Sequence, residues 1–257
     1  MKFVRFIKGD QQAYGVYEDG VIKEVEGDIF TSWKYTGNIV ASNDVKWLAP
    51  LEPNHISGIG ANFVCNIEDL PEMQPEIPVF FFKPKTSVIG PEEEIVIPNG
   101  VDEVKFESEL AVIIGKEARD IDEDEVFDYI FGYTVANDVT APQFFHEAGH
   151  WTIGKAFDTF TPLGPVIETE LDPFNVRIEA RVNGEEKQNS PTELMIVTIP
   201  RMISYLSKVM TLSKGDVILT GSPLGAEFVK AGTVIECEVK EIGVLRNTFV
   251  ASTKKVV

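Results

Sequence analysis

The sequence predicts a β-rich α+β fold, because strand patterns are frequent, helical patterns are few, and no regular helical crossovers separate the strands. Two of the strand patterns run directly into Asp19-Gly20 and Asn183-Gly184, dipeptides that favour tight hairpin turns. We therefore expect an irregular α+β or β-roll architecture rather than a doubly wound parallel sheet.

Composition indicates a globular protein with a sizeable core: 257 residues, 44% hydrophobic and 25% charged. The 23 basic and 41 acidic side chains give a net charge of 23 − 41 = −18. Such a charge repels nucleic acid and anionic membrane surfaces, so we expect neither as a partner. No apolar run approaches the roughly 20 residues that span a bilayer, and charges interrupt the first eight residues. We predict a cytoplasmic protein whose two cysteines are free thiols.

The first 50 residues carry short alternating segments typical of strands. Pro50 and Pro53 then bracket a stiff connection. We predict a small β-rich N-terminal domain over residues 1–52 and a catalytic domain over residues 53–257.

Within the larger domain, strands are predicted near residues 95–97, 110–114, 133–136, 176–182, 217–219 and 235–239. One helix is predicted to start at an Asp122 N-cap and to carry Val126, Tyr129 and Ile130 on one face. A second helix has Pro200 in its first turn and ends by Gly215, and its apolar stripe is Ile203, Leu206, Val209 and Met210.

Two glutamates point to a metal site. On a strand, Glu107 and Glu109 face the same side, and the strand continues into the apolar run 110–114. Neighbouring carboxylates that enter a core repel each other unless a cation lies between them. The next apolar run delivers a third acid, Asp138, and three carboxylates select a hard ion: Mg²⁺ first, then Mn²⁺ or Ca²⁺. The alternative is that both glutamates lie on an exposed face of a very acidic protein.

A second motif, His146-Glu147-Ala148-Gly149-His150, matches the H-E-x-x-H pattern of zinc proteases. The pattern binds zinc only on a helix, where Gly149 is a poor residue, and Pro142 lies just upstream. A polar loop is the favoured interpretation.

Several motifs occur in a fixed order: 58–63 (GIGANF), 82–84 (FKP), 106–110 (FESEL), 131–134 (FGYT), 137–141 (NDVTA), 155–160 (KAFDTF), 162–165 (PLGP) and 215–223 (GDVILTGSP). Together they resemble the fumarylacetoacetate hydrolase family over roughly residues 56–250, and the N-terminal segment resembles the small domain of many bacterial and archaeal members. The resemblance implies a mixed β-roll, usually a homodimer, with Mg²⁺ or Mn²⁺ held at the positions of Glu107, Glu109 and Asp138. Members cleave 1,3-diketo acids, decarboxylate or tautomerise 2-oxo acids, or dehydrate sugar acids.

Further roles follow from the resemblance. Lys155 would hold negative charge that develops near the metal, or else form an ion pair with Asp158 or a metal-ligating glutamate. The Thr220 hydroxyl would donate to a substrate carboxylate or cap its own turn. Lys83 would contact the substrate or form a structural ion pair beside the site.

The sequence departs from the family at two places. Asn66 and Asp69 stand at the catalytic positions where hydrolytic members have a water-activating His and Glu. An asparagine cannot accept a proton at neutral pH, so the usual base is absent unless Asp69 or a histidine from elsewhere supplies it. Pro142 and Phe145 stand where family members have an Arg and a Gln that contact the substrate. Of these two positions, we expect Phe145 to contact the substrate. One hypothesis is that His146 or His150 replaces the missing base; surface histidines in a loop are the alternative.

Three functions remain open. The default is a metal-dependent C–C bond hydrolase of 1,3-diketo or 2-oxo acids that uses a chelated enolate. The alternative is an isomerase, tautomerase, decarboxylase or dehydratase of 2-oxo acids that needs no activated water. The third is a degraded relative that only binds a small acid.

Overall fold

Strands dominate the computed structural model, which describes residues 1–253; the last four residues of the predicted domain 53–257 lie outside it. The strands are β1 (Lys2–Lys8), β2 (Gln11–Glu18), β3 (Val21–Asp28), β4 (Ser32–Ala41), β5 (Lys46–Trp47), β6 (Ile56–Ile59), β7 (Phe80–Lys83), β8 (Val88–Ile89), β9 (Glu94–Ile97), β10 (Glu103–Lys105), β11 (Ser108–Ile114), β12 (Ile130–Asn137), β13 (Thr161–Glu168), β14 (Arg177–Val182), β15 (Glu185–Pro191), β16 (Val217–Leu219), β17 (Phe228–Lys230), β18 (Val234–Val239) and β19 (Gly243–Ala251). The α-helices are α1 (Thr152–Lys155) and α2 (Ile199–Val209). Short 3-10 turns occur at Ser42–Asp44, Ile67–Asp69, Lys85–Ser87, Val126–Tyr129, Pro142–Phe144 and Thr192–Leu194.

The strands form three sheets. The largest has the order β4-β3-β2-β1-β13-β12-β11-β16-β6-β7, with β5 beside β1 and β8 beside β13. A second sheet has the order β15-β14-β18-β19-β9, and β10 pairs with β17. Antiparallel pairs predominate, but β16·β6, β13·β8 and β19·β9 are parallel. The predicted β-rich α+β fold with mixed sheets is confirmed.

The N-terminal strands are continuous with the rest of the fold. Strands β1 to β4 form a meander, and β1 also pairs with β13. The predicted hairpin at Asp19-Gly20 has φ angles of 45° and 85°, as a two-residue turn with both central residues in the left-handed region requires. Asn183-Gly184 has φ angles of 51° and 83° and joins β14 to β15 in the same way.

One predicted helix is wrong and the other is shorter than expected. After Asp122 the chain forms only the 3-10 turn Val126–Tyr129, because Ile130 pairs with Ile114 and begins β12. Helix α2 ends at Val209 rather than near Gly215, because Leu212 forms a β-bridge with Ala118. Among the residues described, no helix is long and apolar enough to cross a membrane.

The core lies around β11 and β12, whose side chains are buried along almost their whole length. Strand β11 is hydrogen-bonded to β12 on one side and to β16 on the other. The acidic residues at the start of β11 and the end of β12 therefore sit at one edge of the most rigid part of the molecule.

Candidate active site

Strand register brings three acidic residues together. Ser108 pairs with Asn137 across β11 and β12, and the Asp138 amide donates to the Glu107 carbonyl (2.8 Å). The Asn137 side-chain oxygen accepts a hydrogen bond from the Glu107 amide (2.9 Å). These contacts fix Glu107 beside Asp138 at the point where both chains leave the sheet.

The three carboxylates converge. One oxygen from each of Glu107, Glu109 and Asp138 lies within 4.8 Å of the others. Glu109 and Asp138 are buried, and Glu107 is half-buried. An oxygen-only donor set of this kind fits Mg²⁺, Mn²⁺ or Ca²⁺ and leaves coordination positions for other ligands. The three predicted metal ligands are therefore close enough to share one ion.

Lys155 borders this cluster. It ends α1, which is tied to the chain after Asp138 by a hydrogen bond from the Ala141 amide to the Gly154 carbonyl (2.8 Å). The Lys155 Nζ donates to Glu107 Oε2 (2.7 Å) and to Asp138 Oδ2, and it lies 4.6 Å from the centre of the Phe81 ring. The ion pair with a metal-ligating glutamate, one of the sequence alternatives, is present.

Lys83 lies behind Asp138 rather than in the pocket. Its side chain is fully buried, and its Nζ donates to Asp138 Oδ1 (2.6 Å) and to the Val139 carbonyl (3.1 Å). This is the structural ion pair that the sequence left open. The predicted contact between Lys83 and a substrate stays a prediction.

Burial shapes the charge state of these groups. Burial raises the pKa of Glu109 well above its usual value, and the neighbouring Asp138 raises it further. Burial acts in the same direction on Asp138, but Lys155 and Lys83 outweigh it and hold the pKa of that carboxyl below its usual value. Burial disfavours the charged form of Lys155, yet Asp138 and Glu107 reverse the effect and raise its pKa. Lys155 is thus held as an ammonium. With Lys83 it puts two positive charges beside three carboxylates, so one carboxylate charge is left without a partner when all three are ionised, which suits a cation beside Glu109.

Glu109 is oriented by a turn that requires glycine. Its Oε2 accepts a hydrogen bond from the Gly221 amide (2.7 Å). Gly221 has a φ of +94°, and a Cβ there would lie 2.6 Å from the Asn62 Cβ. The Asn62 amide nitrogen in turn donates to the Thr220 carbonyl (2.8 Å). Gly221 lies in the motif 215–223, but nothing in the sequence marked it as a contact of Glu109.

The carboxylates form the floor of a pocket of about 520 Å³. Most of its wall is aromatic or apolar, and Phe145 stacks on Trp151 with ring centres 6.0 Å apart. The lining residues are Ile59, Gly60, Ala61, Phe63, Phe81, Lys105, Glu107, Glu109, Asp138, Thr140, Pro142, Phe145, Trp151, Lys155, Ser222, Pro223, Leu224, Gly225 and Ala226. Phe145 therefore lines the pocket, and its predicted contact with a substrate stays a prediction. Nothing in the sequence marked Trp151.

Asn66, Asp69 and Thr220 do not line this pocket. Asn66 and Asp69 are exposed at the 3-10 turn Ile67–Asp69, where the Asn66 amide nitrogen donates to Asp69 Oδ2 (2.9 Å). The buried Thr220 hydroxyl donates to the Leu110 carbonyl of the neighbouring strand β11 (2.8 Å), so this bond does not cap its own turn. The catalytic roles of Asn66 and Asp69 and the substrate contact of Thr220 remain predictions.

The two histidines of the loop are exposed, and neither lines the pocket. His146 and His150 lie with ring centres 6.0 Å apart, and His146 Nδ1 accepts a hydrogen bond from the Ala148 amide (3.1 Å). Residues 146–150 form a turn and not a helix, so the helical zinc arrangement of H-E-x-x-H does not form. The geometry gives no support to a replacement base from this loop.

Two family profiles match the chain. The profile described as fumarylacetoacetate (FAA) hydrolase C-terminal matches residues 54–250, and the one described as Rv2993c-like, N-terminal, matches residues 1–50. An uncharacterised protein of Archaeoglobus fulgidus is 41% identical over 233 residues, which cover 91% of this chain and 92% of that protein.

Several similar proteins are named for an activity, tautomerases, isomerases and hydrolases among them. A mitochondrial oxaloacetate tautomerase of Xenopus laevis is 40% identical over 228 residues, which cover 83% of this chain and 71% of that protein. The crystal structure of a 5-carboxymethyl-2-hydroxymuconate delta-isomerase from Mycobacterium smegmatis superimposes with a TM-score of 0.92 at 37% identity and covers 98% of this chain and 100% of that one.

Proposed function

The chain belongs to the fumarylacetoacetate hydrolase family, and we propose that it is a metal-dependent isomerase that interconverts the keto and enol forms of a small 2-oxo acid. The observation that carries the proposal is a contrast within the site. Three converging carboxylates and Lys155 face the pocket, while Asn66 and Asp69, at the water-activating positions, are exposed and outside it.

Glu107, Glu109 and Asp138 would hold the ion, with Mg²⁺ the first choice and Mn²⁺ or Ca²⁺ the next. When bound, a divalent ion supplies Lewis-acid stabilisation of the negative charge on an enolate. Lys83 keeps Asp138 ionised through its buried ion pair, and the Gly221 amide fixes the direction of the Glu109 carboxylate. These contacts set the charge of Asp138 and the orientation of Glu109 before an ion binds.

Lys155 is the residue that would act on the substrate. Its raised pKa keeps the ammonium protonated at neutral pH, so it serves as a hydrogen-bond donor and as the acid that would give a proton to the enolate carbon. Its position beside Glu107 and Asp138 places that donor where an enolate oxygen would develop charge. The aromatic pair Phe145 and Trp151 limits the access of water to this charge.

Isomerisation fits these residues better than hydrolysis. Cleavage of a C–C bond by water needs a group that takes a proton from water; the amide of Asn66 cannot do so, and the Asp69 carboxylate is exposed and does not line the pocket. Keto–enol exchange needs no activated water, but it moves one proton from the enol oxygen to the neighbouring carbon. The Lys155 ammonium would donate a proton to the carbon, and the amine left behind would take the proton of the enol hydroxyl, so that Lys155 ends the step protonated. Relatives named as a tautomerase and an isomerase support the same choice.

Two assays on the purified protein with Mg²⁺ test this proposal. The first follows the ultraviolet absorbance of enol-oxaloacetate as it converts to the keto form, and the second follows the cleavage of an acylpyruvate. We expect faster tautomerisation that requires Mg²⁺, no acylpyruvate cleavage, and loss of the activity in Glu109→Gln but not in Glu94→Gln, an exposed glutamate on β9. Acylpyruvate cleavage without tautomerisation would establish the hydrolase instead, and metal-dependent binding without turnover would indicate a binding protein.

A further inference from the structure

Lys105 is a pocket residue for which the proposed chemistry has no role. It ends β10, which pairs with β17. Its backbone is fixed beside the site, because the Lys105 amide donates to the Thr140 carbonyl (2.7 Å) and the Thr140 amide donates to the Lys105 carbonyl (2.9 Å). Lys105 therefore lies on a rigid element two residues before Glu107 and four before Glu109, and its side chain lines the same pocket.

The ammonium group of Lys105 is available to a ligand. Its Nζ lies 3.9 Å from Glu107 Oε1, beyond hydrogen-bond distance, and 34% of its side chain is exposed. Lys155, by contrast, is 6% exposed and hydrogen-bonded to two carboxylates. Of the two lysines among the pocket-lining residues, Lys105 is the one without a side-chain hydrogen bond in the described part of the chain.

The chemistry of the pocket limits what such a lysine can bind. The protein carries a net charge of −18, and three of the side chains that line the pocket are carboxylates. A substrate with a second negative charge, beyond the group that meets the metal ligands, needs a cation of its own to enter this field. Besides the three carboxylates, Lys105 and Lys155, the lining residues are aromatic, apolar or uncharged, with Thr140 and Ser222 as hydroxyl donors. Lys155 is hydrogen-bonded to two of the carboxylates, so Lys105 is the lining cation that is left for that second charge.

We propose that Lys105 binds a second carboxylate of the substrate and thereby selects dicarboxylic 2-oxo acids over monocarboxylic ones. The inference rests on the proposed function, because it assumes that the first carboxylate and the keto group face Glu107, Glu109 and Asp138. No arginine is among the residues that line this pocket, so the ammonium of Lys105 on β10 is the lining cation that can meet a second carboxylate without leaving a hydrogen-bonded carboxylate. Lys105 is thus a specificity-determining residue.

Steady-state kinetics of three variants test this role. Lys105→Met removes the charge, Lys105→Arg keeps it, and Lys230→Met removes an exposed lysine from β17 of the same two-stranded sheet. Each is assayed for enolisation of 2-oxoglutarate and of 2-oxopentanoate, an uncharged-tail analogue of equal chain length. For Lys105→Met we expect KM for the diacid to rise about 10- to 100-fold, as for a lost hydrogen bond between charged groups. Its kcat and its KM for the monoacid should stay within about twofold.

Rescue and control complete the kinetic test. Lys105→Arg should keep most of the preference for the diacid, and Lys230→Met should match the wild type. A KM for the diacid that does not change in Lys105→Met, or one that rises equally for the monoacid, would overturn the role of Lys105. Equal effects would show that Lys105 acts only as a counter-charge to Glu107.

A binding measurement separates this inference from the proposed function. If the wild type turns over neither acid, the isomerase proposal fails, and calorimetry with 2-oxoglutarate and 2-oxopentanoate in the presence of Mg²⁺ still tests Lys105. Tighter binding of the diacid by the wild type, lost in Lys105→Met, supports the role. Equal binding of the two acids, or binding of neither, overturns it.

Discussion

The carboxylate cluster and the Asn66–Asp69 turn are built in opposite ways, although the family resemblance assigns both to one active site. Glu109 and Asp138 are buried, and each is held by at least one hydrogen bond from another part of the chain. Asn66 and Asp69 are exposed, and within residues 1–253 their side chains hydrogen-bond only to each other. The carboxylates are thus buried and held in place, whereas the water-activating positions are exposed and carry an asparagine in place of the histidine. Such a site should stabilise an enolate without delivering water to it.

The largest effect is expected at the carboxylate cluster. Glu109→Gln keeps the size of the side chain and removes its negative charge, so we expect turnover to fall by more than about 100-fold, since even outer-sphere partners of metal ligands change affinity 10- to 100-fold. The measurement is the rate of oxaloacetate tautomerisation at increasing Mg²⁺, with Glu94→Gln as the matched control. A variant with normal turnover at the same Mg²⁺ would show that the cluster is not the metal site.

A variant of Lys155 distinguishes the role of the metal ion from the role of the hydrogen-bond donor that acts on the substrate. Lys155→Met removes one hydrogen-bond donor to developing charge, and we expect kcat to fall roughly 100- to 1,000-fold while Mg²⁺ still binds. Without metal the variant leaves Glu107 and Asp138 short of a counter-charge, so its melting temperature should fall and recover when Mg²⁺ is added. Unchanged kcat would assign Lys155 a purely structural role.

A variant of Gly221 tests how the turn after β16 supports the carboxylate cluster. Gly221→Ala places a side chain at a left-handed φ and against Asn62, so we expect unfolding to become easier by about 1 to 3 kcal/mol. The displaced amide should also weaken Mg²⁺ binding, because it orients Glu109. Urea unfolding and a metal titration check the two effects, and Gly9→Ala, at a similarly left-handed turn with open space, is the control for backbone strain alone.

The smallest effect is expected at the Asn66–Asp69 turn. Asn66→Ala removes one exposed hydrogen bond, so tautomerisation should stay within about twofold and stability within about 0.5 kcal/mol of the wild type. Turnover and thermal melting measure both quantities. A loss of turnover as large as that of Lys155→Met would remove the contrast on which the proposed reaction depends.

Local patterns were enough to predict the fold class, the hairpin turns and the three acids. The pairing of Glu107 and Glu109 follows from strand alternation, and Asp138 follows a second apolar run. The same alternation includes Lys105 and could have identified it as a pocket residue. By contrast, the helix predicted to start at Asp122 does not form, because Ile130 pairs with Ile114 and belongs to the sheet.

The rest depended on contacts between distant parts of the chain. The ion pair of Lys83 with Asp138 joins residues 55 positions apart, and the bond of Gly221 to Glu109 joins residues 112 apart. Neither leaves a local periodic signal, because each arises only when β7 or the turn after β16 reaches the same edge of the sheet. Trp151 reaches the pocket through a loop whose path no pattern in the sequence fixes.

Calorimetric titration of the metal-free protein with Mn²⁺ and with Mg²⁺ tests the central claim most directly. Three converging carboxylates predict one divalent site per chain, abolished in Glu109→Gln and retained in Glu94→Gln. No binding at millimolar metal, or equal binding by both variants, would contradict the account, since the ammonium groups of Lys155, Lys83 and Lys105 would then balance the cluster without an ion.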